Sequence, residues 1–446
     1  MIDTRSFVTV DALIWGTNVA DAPLESSAAA VSGARPSPVQ RMRALATTHP
    51  APVWIMALCN LIMWTGRGMV IPFTVIYFSQ IVGLSASVVG TGIAISGLGG
   101  IAFVMAVAGQ IDRRGGHPVL LACVGVIALA TFAYPLATSV LPFLLVTLVL
   151  NFASQLYWPS SDATIASLSD ANRVPEAMSI LRVANAVGIG LGGLIGGVMV
   201  SGGGMDEYRL MFMVSALMVS CAALLVWRVI PSVILRSTSD DGEHGAWRDV
   251  LPDRTFMYSL AVLFVLVFGF TQMTMSVPAF LRREAGISEG TIGMLFTMNM
   301  LIVVMTQIPI TARVNRGNLG RLLSIGALLW MVAFVCMLGT MEFGRLAAAA
   351  AFLSFTAGEL IFMPSTAIIP IRLAPVHLRG RYFAALSIIW GGSFAIASFI
   401  AGIALDMPDS SVLWPVMAAL MAIGAVGAYR LQRSPRLDAA AAVAKS

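Results

Sequence analysis

Long apolar segments separated by short polar segments recur along most of the chain. A helix that crosses a hydrocarbon core of ~30 Å needs about 20 apolar residues, and these segments reach that length. Because their apolar residues are continuous and do not alternate with polar ones, the pattern predicts helices and not a β-barrel. The expected fold is an all-α integral membrane protein with twelve spans, at roughly 52–80, 86–111, 118–138, 140–168, 177–200, 209–230, 255–280, 288–312, 320–341, 344–372, 380–405 and 412–430.

The composition agrees with a membrane solvent. Of the 446 residues, 58% are hydrophobic and 11% are charged, whereas an ordinary soluble domain has about 25% charged residues. The main expected partner is therefore the lipid bilayer, and no nucleic-acid partner is expected. All four cysteines fall inside apolar segments, so they predict packed thiols and not disulfides.

The chain divides into two similar halves. The longest polar connection lies between the sixth and seventh segments, and short motifs repeat across it: Pro159 aligns with Pro364, and Pro72 aligns with Pro278. Such repeats usually place a binding site at their interface, near the membrane midplane. The expected domains are a cytoplasmic tail at 1–50, a six-helix bundle at 51–230, a cytoplasmic linker at 231–254, a second six-helix bundle at 255–430 and a cytoplasmic tail at 431–446.

The basic residues predict the orientation. Loops that face the cytoplasm carry an excess of Lys and Arg. One set of loops contains few arginines, namely Arg209, Arg282, Arg283 and Arg345, together with several acidic residues. The opposite set and both tails hold the other basic residues of the loops. We therefore expect a multi-pass protein of the cell (inner) membrane with both termini in the cytoplasm.

Three charged residues stand out within the apolar segments, where a charge at the centre costs at least ~2.5 kcal/mol. Arg67 and Glu359 are each about fifteen residues into a span, so a rise of ~1.5 Å per residue places both near the midplane. The hypothesis is that both face a central cavity, with Glu359 carrying the coupling proton and Arg67 acting as its counter-charge or contacting the substrate. A permanent structural ion pair is the alternative.

Asp162 is the third charge, and it is nearer the cytoplasmic end of the fourth span. Its candidate partners are Arg182 and the arginines of the loop at 108–116. Uncharged candidates for the cavity lining are Asn151 and Gln155 in the fourth span, Gln272 in the seventh and Trp390 in the eleventh.

A glycine-rich segment in the fifth span, "VGIGLGGLIGG", contains the GxGxxG spacing of a dinucleotide-binding loop. That motif requires a strand before it and an acidic residue about 20 positions later in a soluble unit. Here the segment lies inside an apolar span, and the acidic residues that follow, Asp206 and Glu207, fall in an outer loop. Gly188, Gly192 and Gly196 instead repeat every fourth residue, which predicts a smooth face that another helix can approach closely, widened by Gly193 and Gly197.

Two motifs resemble the major facilitator superfamily. The segment "AGQIDRRGGHPVLL" is similar to its GxxxDRxGRR loop signature at Asp112, Arg113 and Gly115. The glycine-rich segment is similar to the GPxxGG signature of drug:proton antiporters in that superfamily, with Gly193 in the position of the proline. The resemblance implies two bundles that work by alternating access around a cavity lined by the first, fourth, seventh and tenth helices.

The resemblance also implies roles for particular residues. The glycine face is expected to pack against the eighth helix, in the second bundle. Asp162 is expected to join Asp112 and its arginines in a charge cluster that latches the outward-open state, with Arg182 as a further partner; contact with the substrate is the alternative. Asn151 departs from the pattern, because many drug antiporters have an arginine at that place.

The expected function is proton-coupled export of small, largely apolar compounds, by a chain that is expected to be monomeric. Uptake or facilitated diffusion of a metabolite is the alternative. An enzyme is not expected: the four histidines lie in loops or tails, and neither HExxH nor GxSxG occurs. Without a GxxxxGK[ST] segment, transport driven by a gradient is expected, with no metal and no cofactor. A sensor would need an output domain, and the tails are short.

Overall fold

A computed structural model describes residues 50–107, 116–169, 173–230, 250–375, 378–434 and 436–437. Twelve helices in these ranges are long and apolar enough to cross a membrane, which confirms the expected all-α fold. No strand occurs among these residues. The helices are α1 (Ala51–Ile81), α2 (Ala86–Val107), α3 (Gly116–Ala133), α4 (Val140–Leu168), α5 (Val174–Met199), α6 (Met205–Val229), α7 (Arg254–Met275), α8 (Glu289–Arg316), α9 (Leu319–Leu338), α10 (Arg345–Leu373), α11 (Arg379–Asp406) and α12 (Leu413–Leu431).

Prolines interrupt the first helix of each half at equivalent points. In α1 the regular helix ends at Val70, and a 3₁₀ turn at Ile71–Phe73 contains Pro72. After α7, a separate short helix at Val277–Arg283 begins around Pro278. Proline lacks the amide hydrogen and clashes with the preceding turn, so an α-helix cannot continue unchanged through it. The repeat of the two prolines in the sequence thus corresponds to a repeated interruption of the regular helix.

Each half is a six-helix bundle, and the two bundles repeat the same packing. In the first bundle α1 packs against α5 and α6, α4 packs against α2 and α3, and α3 packs against α6. In the second bundle α7 packs against α11 and α12, α10 packs against α8 and α9, and α9 packs against α12. Each helix pair in the second bundle corresponds to a pair in the first bundle whose helix numbers are lower by six. This correspondence is what a duplicated six-helix unit requires.

Serine hydroxyls join helices within the bundles. Ser215 in α6 donates to the carbonyl oxygen of Gly66 in α1 at 2.7 Å, and Ser393 in α11 donates to the carbonyl oxygen of Phe264 in α7 at 2.7 Å. Small and polar residues are the usual contacts between membrane helices, since apolar surface gains nothing by leaving lipid. Both bonds tie the first helix of a bundle to its neighbours.

The bundles meet along two helix pairs, α2 with α11 and α5 with α8. The connections α1–α2, α3–α4, α5–α6, α7–α8, α9–α10 and α11–α12 lie at one end of the molecule, which we call the arginine-poor end. The described helix ends on the opposite side, among them Leu168, Arg316 and Leu373, form the arginine-rich end. The hydrogen bonds between the bundles, where both residues are described, lie in the half of the molecule nearer the arginine-poor end.

Candidate functional site

Glycines let the bundles approach each other at the arginine-poor end. A Cβ atom added at Gly90 in α2 would lie 2.9 Å from the Cα atom of Gly402 in α11. A Cβ atom added at Gly197 in α5 would lie 2.7 Å from the carbonyl oxygen of Glu289 and 3.0 Å from the Cα atom of Gly293, both in α8. Backbone therefore packs directly on backbone at both helix pairs, and any side chain at these positions would hold the bundles apart.

The predicted glycine face has a different partner from the one expected. Added Cβ atoms at Gly188, Gly192 and Gly196 would meet α1 of the same bundle, at 2.8 Å from the Leu61 carbonyl oxygen, 2.7 Å from the Met69 amide nitrogen and 2.6 Å from the Met69 carbonyl oxygen, respectively. The expectation of packing against the second bundle is therefore wrong for these three glycines. Gly193 and Gly197 do pack against α8, because one residue further along a helix is rotated by about 100° and points to another neighbour.

Four sets of hydrogen bonds cross between the bundles at the arginine-poor end. The Gln80 side-chain amide donates to the Ala279 carbonyl oxygen at 3.0 Å, and the Thr297 hydroxyl donates to the Gly190 carbonyl oxygen at 2.9 Å. The Tyr208 hydroxyl of α6 donates to the Glu289 carboxylate of α8 at 3.2 Å, and Glu289 is also paired with Arg282 at 2.7 Å. The fourth set joins Asp406 to the first residues of α2.

Glu359 is buried in the middle of α10, where its side chain accepts a hydrogen bond from a neutral amide. It is 6% exposed. Asn299 of α8 donates to its Oε2 atom at 2.8 Å, and the same amide nitrogen donates to the Thr356 hydroxyl at 2.9 Å. Within the described chain Glu359 forms no ion pair, so this carboxyl group lies in the membrane without a cation beside it.

Arg67 is partly buried in α1, in the other bundle. In the described part of the chain its guanidinium has no hydrogen bond and no ion pair, and its electrostatic neighbour is the neutral Tyr134 hydroxyl. The structure therefore does not join Arg67 to Glu359, and the permanent ion pair considered from the sequence is absent in this conformation. Both charged groups remain available to other partners.

The uncharged candidates divide into two groups. Asn151 and Gln155 are partly buried on one face of α4, with the Asn151 amide donating to the Thr147 carbonyl oxygen at 3.0 Å. Trp390 is partly buried in α11, with ring centres 5.6 Å from Phe270 and 6.0 Å from Phe362. Polar amides thus lie in the first bundle and aromatic rings in the second.

Gln272 does not line a cavity. It is fully buried, and its amide donates to the Ala397 carbonyl oxygen at 3.2 Å, which joins α7 to α11 inside the second bundle. A glutamine in a membrane helix can satisfy its polar group against a neighbouring backbone as well as against a ligand. The sequence alone did not distinguish these two environments.

Asp162 and Arg182 form an ion pair in the half of the first bundle nearer the arginine-rich end. The Arg182 Nη2 atom is 3.2 Å from the Asp162 carboxylate, and the guanidinium lies 4.8 Å from the ring centre of Trp158. Arg182 lies three helical turns before Gly193, on the face of α5 that contacts the second bundle at that glycine. Half of its side chain is exposed. The loop residues Asp112, Arg113 and Gly115 lie outside the described residues, so their part in a charge cluster stays a prediction.

Four residues that bond other helices were not predicted from the sequence. Asn299, Tyr208, Glu289 and Asp406 each hydrogen-bond another helix. An asparagine in mid-span was a usable signal for Asn299, whereas the two acidic residues counted only as loop charges. For metal chemistry, the described residues contain no group of three or more His, Cys, Asp or Glu side chains able to hold an ion.

Comparisons with known proteins extend the resemblance to nearly the whole chain. A family model described as the Major Facilitator Superfamily matches residues 56–286 and 264–445. The MFS-type transporter YdeE of Escherichia coli is 23% identical over 378 residues, covering 82% of this chain and 91% of that protein. A protein of Planococcus maritimus named Na(+), Li(+), K(+)/H(+) antiporter is 24% identical over 380 residues, covering 77% of this chain and 86% of that protein.

A solved structure shares the fold. The nucleoside transporter NupG superimposes with a TM-score of 0.67 at 13% sequence identity, covering 86% of this chain and 100% of that chain. At this identity the likeness concerns the fold alone, and it supports the arrangement of twelve helices in two bundles.

Proposed function

Because the chain belongs to the major facilitator superfamily, we propose that this membrane transporter exports small, largely apolar compounds in exchange for protons. The observation that carries the proton coupling is Glu359, a carboxyl group in mid-membrane that is bonded by the neutral amide of Asn299 and paired with no cation in the described chain. Acidic residues at such depth are typical of proton relays in transporters.

We place the arginine-rich end in the cytoplasm, together with both termini, on the basis of the loop charges. In that orientation the packed glycines and the hydrogen bonds between the bundles close the outer side. The described conformation is then inward-facing, with Asp162 and Arg182 on the side from which a compound leaves the cytoplasm.

The two bundles would contribute different chemistry to the cavity. The first contributes the guanidinium of Arg67, which pairs with none of the described residues, and the amides of Asn151 and Gln155. The second contributes the rings of Trp390 and Phe270 and the carboxyl group of Glu359. Aromatic surface with a few polar groups suits ligands that are mostly apolar and carry one polar group. Arg67 serves in this proposal as a substrate contact or as the counter-charge of Glu359 when the bundles move.

The direct test is transport by the purified protein in liposomes with an imposed pH gradient. Compounds that lose toxicity when the chain is expressed in an exporter-deficient bacterium would serve as substrates. We expect Glu359→Gln to abolish transport driven by the pH gradient while binding of the compound persists, because the amide cannot exchange a proton. Glu342→Gln is the matched control, since Glu342 is exposed at the end of the same bundle. Full pH-driven transport by Glu359→Gln would refute the role of this residue.

Exchange of monovalent cations for protons is a second candidate, favoured by the name of the Planococcus maritimus relative. Everted membrane vesicles that hold a pH gradient separate the two functions. Addition of NaCl, LiCl or KCl would collapse the gradient in a cation antiporter, whereas an exporter of apolar compounds responds to those compounds alone. Accumulation of a compound in whole cells would instead indicate uptake.

A further inference from the structure

The carboxylate of Asp406 connects the two bundles at the arginine-poor end. Asp406 is the last residue of α11 in the second bundle. Its Oδ1 atom accepts a hydrogen bond from the amide of Ala86 at 2.8 Å, and its Oδ2 atom accepts one from the amide of Ser87 at 2.8 Å. Ala86 and Ser87 are the first two residues of α2, which belongs to the first bundle.

This contact satisfies groups that α2 cannot satisfy by itself. The first four amides of an α-helix have no acceptor within the helix, and the aligned peptide dipoles leave that end partly positive. The first turn of α2 contains no acidic residue. A charged acceptor shared by two amides makes strong hydrogen bonds. Ser85, directly before α2, accepts from the amide of Val88 at 3.4 Å, and Asp406 supplies, from the other bundle, the acceptors for the amides of Ala86 and Ser87.

The backbone packing brings the carboxylate within reach. One turn into α2, a Cβ atom at Gly90 would lie 2.9 Å from the Cα atom of Gly402, and a Cβ atom at Gly402 would lie 3.0 Å from the Cα atom of Ser87. Gly402 is one turn before Asp406 on α11. Close packing of the two helices and capping of α2 by Asp406 thus occur together, and separation of the bundles would end both.

We propose that Asp406 is a gating residue: through its bonds to Ala86 and Ser87, here named the Asp406 clasp, it holds the arginine-poor end closed. A cavity of about 250 Å³ lies beside the clasp and is lined by Gln80, Arg283 and Asp406, among others. When the bundles part, this space lets water reach the carboxylate and the freed amides. The clasp stabilises the conformation described here and is lost in the opposite one, so it shifts the equilibrium between them.

The test is a distance measurement that needs no substrate and does not depend on export or on proton coupling. Nitroxide labels are attached to Ser139→Cys in the first bundle and Val412→Cys in the second, both exposed at the arginine-poor end, in a protein whose native cysteines are replaced. Double electron–electron resonance then reports how often this end is open. We expect Asp406→Asn to raise the long-distance population roughly tenfold, since charge-assisted hydrogen bonds between the bundles are lost.

Asp409→Asn is the matched control. Asp409 is three residues from Asp406, fully exposed, and bonded at 3.0 Å to the amide of Ser411 in its own loop. It should leave the distances unchanged. If Asp406→Asn also leaves them unchanged while Gly402→Ala lengthens them, packing alone closes this end and the clasp is refuted. If Asp406→Asn does not fold, Asp406→Glu replaces it, because glutamate keeps the charge but has a longer side chain. This variant must show an enlarged long-distance population. Wild-type distances in it would also refute the clasp.

Discussion

The two ends of the interface between the bundles are held by different means. At the arginine-poor end, glycine backbone packs on glycine backbone, and Tyr208, Gln80 and Asp406 hydrogen-bond across the interface. At the arginine-rich end, the ion pairs whose two residues are described stay within one bundle: Asp162 with Arg182 in the first, and Asp253 with Arg436 in the second. A charged group can thus stabilise one bundle without restricting the movement of the other.

This difference explains how one end can be closed and still reversible. Small residues leave few interlocking side chains to pull apart, and hydrogen bonds to helix ends can be exchanged for bonds to water. Paired charges inside a bundle survive the movement because both partners move together. The contacts that must break are therefore few and lie at identifiable residues.

The largest effect should come from filling a close contact at the arginine-poor end. Gly293→Leu places a side chain against Gly193 and Gly197 of α5. Overpacking of this kind costs about 1–3 kcal/mol, so we expect this end to remain open and transport to fall at least tenfold, a factor of ten corresponding to ~1.4 kcal/mol. Flux in liposomes and spin-label distances measure the two effects. Gly125→Leu is the control, because no atom lies within 4 Å of an added Cβ there, and it should transport normally. Equal flux in both variants would contradict the importance of close backbone packing at the arginine-poor end.

A smaller effect distinguishes contacts within a bundle from contacts between bundles. Gly192→Ala pushes a methyl group against the α1 backbone, 2.7 Å from the Met69 amide nitrogen. It should lower the free energy of unfolding by about 1–3 kcal/mol, because that contact does not open in the transport cycle. At Gly193→Ala the nearest atom is the Phe296 Cβ atom at 3.3 Å, in the other bundle, so the same methyl group should change transport more than stability. Thermal unfolding in detergent and flux in liposomes are measured for both variants. If Gly192→Ala changed mainly transport and Gly193→Ala changed mainly stability, the two glycines would not face the neighbours assigned to them.

The smallest effect is expected at the arginine-rich end. Asp162→Asn breaks an ion pair whose side chains are 51% and 38% exposed, and exposed pairs contribute less than ~1 kcal/mol. Stability should therefore change little. If Asp162 also latches the opposite conformation, as the superfamily resemblance implies, the variant should populate the described conformation more. Labels at this end would then report longer distances, with Glu342→Gln as the unaffected control; shorter distances would argue against the latch.

The sequence was sufficient for the fold, and it located Glu359 midway along a predicted span. Continuous apolar segments predicted twelve spans, and the repeated prolines at 72 and 278 predicted the duplication that the bundles display. The depth of Glu359 followed from counting residues along a helix. Its partner Asn299 did not, because that contact joins α8 to α10 across 60 positions of sequence.

The sequence by itself determined properties that depend on local order: which segments are apolar, where prolines interrupt a regular helix, and which residues share a helix face. What only the tertiary structure decided is which neighbour each face meets. The rotation of α5 directs Gly192 to α1 and Gly193 to α8, and the packing of the second bundle encloses Gln272. The meeting of α2 and α11 brings Asp406 to amides that are 320 positions away in the chain. Helix periodicity is set by bonds four residues apart, whereas the choice of partner depends on how all twelve helices pack together.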